Sequence, residues 1–117
     1  MFAHMSYTEE LRASAVLTVA ENVTFRPGNP STGAIAFVVE GINRTVGSVA
    51  VALTGSLTGA TGSFFALGIA DALVLSTDGR YYLAPNGPVP PYLGVSVIPG
   101  GGYDGSVSIN AYSAASL

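Results

Sequence analysis

The chain of 117 residues has no cysteine, no tryptophan and no lysine, and its single histidine is His4. Without cysteine, neither a disulfide nor a thiolate ligand can staple the fold, and one histidine cannot build a standard zinc site. Charge is scarce too: 9 % of residues are charged, against about 25 % in ordinary soluble domains. The basic set is Arg12, Arg26, Arg44 and Arg80, and the net charge is −3. That excludes a nucleic-acid surface, which needs a basic patch to neutralise phosphates. The longest apolar runs, such as "SVAVAL" and "FFALGIA", fall far short of the roughly 20 residues of a membrane helix. The start "MFAHMSYTEELR" lacks a basic segment followed by an apolar one, so no secretory signal is visible. The expectation is synthesis in the cytoplasm, with neither membrane nor nucleic acid as partner.

Catalytic parts are equally scarce. Chemistry would need a nucleophile with a base, a carboxylate pair or a metal site. Only His4 could serve as the base of a Ser-His-Asp triad, and it sits in an N-terminal segment with no predicted rigid setting. Asp78 and Asp104 each precede a glycine, where turn formation is the expected role. The spacing from Asp71 to Asp78 does not fit a calcium-binding loop. "GGGYDG" lacks the following helix that a phosphate-cradling loop requires. The reading is therefore not an enzyme, with no catalytic residue, no cofactor and no metal.

What is abundant is small and β-forming. Fifteen glycines and twenty-one serines and threonines separate short apolar runs of period two. "ASAVLTVAENVTF" places Ala15, Leu17 and Val19 on one face, and "RPGNPSTG" (26–33) must be a loop. "AIAFVVEG" predicts a strand buried on both faces. In "SVAVALTG", Val49, Val51 and Leu53 alternate with Ser48, Ala50, Ala52 and Thr54. "GSLTGATGS" (55–63) is turn and linker chemistry. "STDG" predicts a tight hairpin whose flanks place Leu73, Leu75, Tyr81 and Leu83 on the core face. "APNGPVPP" is expected to run extended and unpaired. Two final strands place Leu93, Val95 and Val97, then Val107, Ile109 and Ala111, on core faces, with "PGGGYDG" as the turn between them. The predicted fold is all-β: a small antiparallel β-barrel or sandwich of about six or seven strands. Residues 13–117 form this single domain. Residues 1–12 are an N-terminal arm, either a short helix on the Ser6–Glu9 capping box or an ordered extended segment.

The sparse charge favours association, because little repulsion keeps copies apart. The smooth face of Ser48, Ala50 and Ala52 suits close approach of another layer, although small residues also fill tapered barrel interiors. Tyrosine is enriched at interfaces, which makes Tyr82, Tyr92 and Tyr103 candidates; Tyr81 and Tyr82 must point to opposite faces. Phe2, Met5, Tyr7 and Leu11 of the arm find no room in a seven-strand core and join the candidate interface.

The stretch "ADALVLSTDGRYYLAPNGPVPPYLGVSVIPGGGYDGSVSINAY", residues 70–112, resembles small head-decoration (cement) proteins of tailed bacteriophages. It has their strand, aspartate-glycine hairpin, aromatic return strand, "GV" strand and a closing strand of G-x-V-x-V type, here Gly105-Ser106-Val107-Ser108-Ile109. The resemblance implies a compact β-barrel on the outer surface of the virion. There it would form a homotrimer that clamps the major capsid protein against internal DNA pressure. It carries over no catalytic residues. The alternatives are another virion module, such as a tail-tube, fibre or baseplate piece, and a ligand-binding β-barrel.

Overall fold

A computed structural model describes residues 4–26, 35–68 and 73–115, and the side chains of these except 4–8 and 113–115. Among the described residues it is all-β, with nine strands: β1 His4–Val16, β2 Glu21–Phe25, β3 Ile35–Ile42, β4 Ser48–Ser56, β5 Phe65–Ala66, β6 Leu73–Leu75, β7 Gly79–Leu83, β8 Tyr92–Gly100 and β9 Ser106–Ala115. They form two antiparallel sheets, β1-β9-β3-β7 and β2-β8-β4 with β5 and β6 both along the free side of β4. The sheets face each other as a sandwich. The barrel alternative is not realised.

The pairing has a simple logic. β1 pairs with β9, β2 with β8, β3 with β7, and β4 with β5 and β6, so the chain is one long hairpin of nested pairs. Rolling that hairpin adds the β3·β9 and β4·β8 ladders and splits it into two sheets. Counting β5 and β6 as one interrupted strand, this is the strand order of a jelly roll, a double-sheet answer to the problem of exposed edges.

The alternation read from the sequence selects the core. Val49, Val51, Leu53, Leu93, Val95, Val97, Val107, Ile109 and Ala111 are all buried between the sheets, with Phe37, Val39, Leu75 and Leu83. Phe25 of one sheet meets Phe37 of the other edge to face, centroids 6.0 Å apart at 86°, an arrangement that aromatic quadrupoles favour. β3 is less enclosed than expected, because Val38 and Glu40 on its outer side are only half-buried.

Four expectations are corrected. The helix alternative for the N-terminus fails: from His4 the segment is strand, continuous through Val16 and across the boundary drawn at 12/13, and hydrogen-bonded to β9. An open ladder on β9 outweighs the weak helical signal of "TEELRA", since strand formation depends on context more than on propensity. Second, the apolar face of Ala15, Leu17 and Val19 does not exist. Leu17 alone is buried, because the chain leaves one sheet there, with Leu17 N–H donating to Gly105 O at 3.2 Å, and enters the other at Glu21. Third, "STDG" does not close a hairpin. It carries the chain between sheets, from β6 to β7, as the expected turn "PGGGYDG" does from β8 to β9, and alternation cannot distinguish two sheets that share one core.

Fourth, "GSLTGATGS" is an ordered loop. Ser56 is fully buried, and its Oγ accepts the N–H groups of Thr58 (3.2 Å) and Gly59 (2.9 Å) and lies 2.6 Å from Ser63 Oγ. Residues 84–91 are unpaired, as expected. The loop expected over 26–33 lies outside the described residues apart from Arg26.

Candidate interaction surfaces

The outward side chains of the β2-β8-β4-β6 sheet follow from its register. Val74, Ala50 and Ile98 lie side by side across β6, β4 and β8. Val74 and Ile98 are 61 % and 52 % exposed. One pleat further come Ala52, Ser96 and Asn22, and then Thr54, Gly94 and Thr24. None of these residues is charged. Ser48 and Ala52 are half-buried and Ala50 is exposed, so the small-residue face expected from the sequence lies on the outside of the sandwich.

The opposite sheet presents Tyr82, 64 % exposed, beside Val38, with Asn110 and Glu10 completing the row across β9 and β1. Glu40 and Arg80 are directly opposed in the next row, with Arg80 Nε donating to Glu40 Oε2 at 2.8 Å. The pairing raises the Arg80 pKa. Arg80 is open to solvent and Glu40 partly so, a setting in which such pairs contribute little.

The other candidates divide. Tyr92 is half-buried; its ring packs beneath Gly59, and the Arg26 guanidinium lies 5.1 Å from its centroid. It is engaged within its own chain. Tyr103 is corrected outright: at 7 % exposure it belongs to the core, so it has no surface to offer a partner. Its phenol fits against Gly41 and Gly105, where an added Cβ would lie 3.3 and 2.4 Å from the oxygen. Burial, with the Asp78 carboxylate nearby, raises its pKa. Leu11 is half-buried against the protein's own core. Met5 and Tyr7 pair through their backbones with Ala114 and Ser113. Their side chains, and the whole of Phe2, lie outside the described residues.

Sequence reasoning passed over one organising side chain, Arg12, and the targets of two others. Arg12 is 10 % exposed and forks onto Glu21, Nε to Oε1 and Nη2 to Oε2, both at 3.0 Å. It also donates to the carbonyls of Ala15 and Val107, bracing β1 against β2 across the open side of the sandwich. That bond from Arg12 lowers the Glu21 pKa.

The other two are the turn aspartates. Asp78 accepts the N–H groups of Asn43 and Arg44, each at 3.1 Å. Asp104 accepts those of Thr45 (2.8 Å) and Val46 (3.1 Å), and the Thr45 hydroxyl. Bonds from the Thr45 hydroxyl, then from the Thr45 and Val46 amides, lower the Asp104 pKa to about 2. Two crossover turns thus hold a third, with Asn43 and Gly47 at φ +60° and +82°. Their signal was visible as the Asp-Gly pairs, but not their target some 35 and 59 positions away.

Among the described residues, no three His, Cys, Asp or Glu side chains come together as a metal site would require. No family model, no curated protein and no solved structure matches the chain.

Proposed function

We propose that the protein is a structural accessory of a virus particle, a decoration module that binds the outer surface of a tailed-phage capsid and stabilises it by bridging capsid subunits. The observation that carries this reading is the uncovered apolar row of Val74, Ala50 and Ile98, in a part of the sheet face without charge. Large apolar side chains left in register on a rigid sheet, on a chain with so little charge to repel a neighbour, suit contact with another protein surface. Tyr82 offers an aromatic anchor on the opposite face. Such a module acts by added contact area, binding the assembled lattice and stabilising it by mass action. A homotrimer is the expected form, since closed symmetry leaves no adhesive surface free.

The test uses capsids with and without the protein. Decorated particles should release DNA at a higher temperature than stripped ones, and Ile98→Glu should lower occupancy. Tyr82→Ala is expected to weaken attachment by about 1 to 3 kcal/mol if its ring is an anchor. Equal release temperatures would overturn the cement reading; location on the tail instead of the head would favour the tail or baseplate alternative.

A further inference from the structure

The polar rows of the same sheet face form the floor of a groove of about 580 Å³ lined by no charged residue. Asn22, Thr24, Thr54 and Ser96 line it from three adjacent strands, and Thr61 and Phe64 line it from the loop after β4. Its volume falls within the range of small-molecule sites, about 300 to 1,000 Å³.

Both floor and wall are set in advance. Thr54 Oγ1 donates to Asn22 Oδ1 at 2.8 Å, which fixes the amide with its NH₂ left to donate. Both side chains lean over Gly94, where an added Cβ would fall 2.5 Å from Thr54 Oγ1 and 2.8 Å from the Asn22 amide. The wall is the loop organised around buried Ser56, and Gly59, at φ +77°, lets it close onto the Tyr92 ring.

The lining chemistry selects the ligand. An anion or a cation would find no opposite charge there. A wholly apolar ligand would strip water from four hydroxyls and an amide without replacing those hydrogen bonds, which is unfavourable. A ligand with many uncharged hydroxyls and one apolar face satisfies both kinds of lining. We propose that this groove binds a neutral oligosaccharide, with a sugar C–H face against Phe64 and hydroxyls shared among Asn22, Thr24, Thr54, Thr61 and Ser96. This is independent of the capsid reading and would hold for a module attached to any other scaffold.

The test is titration of the ¹⁵N-labelled protein with maltotriose, cellotriose and N-acetylglucosamine trisaccharide, followed by amide chemical shifts. At least one sugar should shift the amides of Asn22, Thr24, Thr54, Gly62, Phe64 and Ser96, with an affinity little changed by salt. Phe64→Ala should weaken binding by about tenfold or more, and Thr24→Val by a smaller factor. Neither residue belongs to the buried core, so the remaining amide pattern should be preserved in both variants. Absence of shifts with all three sugars at about 20 mM, well above the millimolar affinities of shallow sites, would overturn the proposal. So would shifts located elsewhere, or an affinity unchanged by Phe64→Ala.

Discussion

Asp104 is a surface carboxylate with an interior residue's task, holding the 43–46 turn through two backbone amides and a hydroxyl. Its pKa is about 2 in the folded chain against an ordinary 3.8. A folded-state pKa below the unfolded one stabilises at pH above the unfolded value, and that stability is lost as pH falls through the folded value. The melting temperature should therefore decline between about pH 4 and pH 2, with Glu21, also lowered, contributing to the slope. Asp104→Asn should melt lower than the parent at pH 6 and show a shallower decline over the acid window, measured by calorimetry at stepped pH. Gly47 is the complementary case. A Cβ there would lie 2.4 Å from the Tyr103 amide nitrogen and 2.6 Å from the Gly100 carbonyl oxygen, on a left-handed backbone. Gly47→Ala should destabilise by about 2 kcal/mol or more, while Gly62→Ala, also at positive φ but with open space around it, should cost less in the same denaturant titration.

At the scale of elements, β1 stands out. It is an edge strand of 13 residues, interrupted by three register shifts against β9. Bulges and inward-facing charge are devices that keep an edge from recruiting another chain, and Arg12 supplies the charge. Arg12→Ala should loosen β1 selectively: amide exchange at residues 8 to 12 should accelerate while the β3·β9 ladder stays protected, and global stability should fall by about 1 to 3 kcal/mol. Uniform acceleration across both sheets would show instead that Arg12 supports the whole fold. The strand faces of β4, β8 and β9 were legible because alternation directly encodes one buried side. β1 was not, because Glu9, Glu10 and Arg12 read as helix surface until a neighbouring strand is supplied. The candidate surface was legible in part for the same reason. Alternation told Tyr82 from Tyr81, which is half-buried against the core, but nothing local marked Tyr103 as a core residue seated between Gly41 of β3 and Gly105 of the turn before β9.

For the molecule as a whole, the two outer faces differ in charge. One carries Glu10, Glu40 and Arg80; the other, in the rows from Val74 to Thr24, carries none. Association should therefore proceed through the uncharged face. Ultracentrifugation should show self-association that Ile98→Glu abolishes and that Arg80→Glu leaves unchanged, given that a specific interface buries about 800 Å² per partner. A monomeric parent at high concentration would confine any trimer to the lattice.

The nested pairing also sets a timetable. His4 is opposite Ala115, and β9 lies between β1 and β3, so the four-stranded sheet cannot close until β9 has left the ribosome. The innermost pairs, around β4, need only short loops and can form first; each outer pair must then close a longer loop. Folding dominated by such distant pairings typically takes milliseconds to seconds. In that interval β1 waits without its partner, its unpaired backbone open to any strand that arrives first. A chain stopped at Gly105 should consequently be found aggregated or held by chaperones.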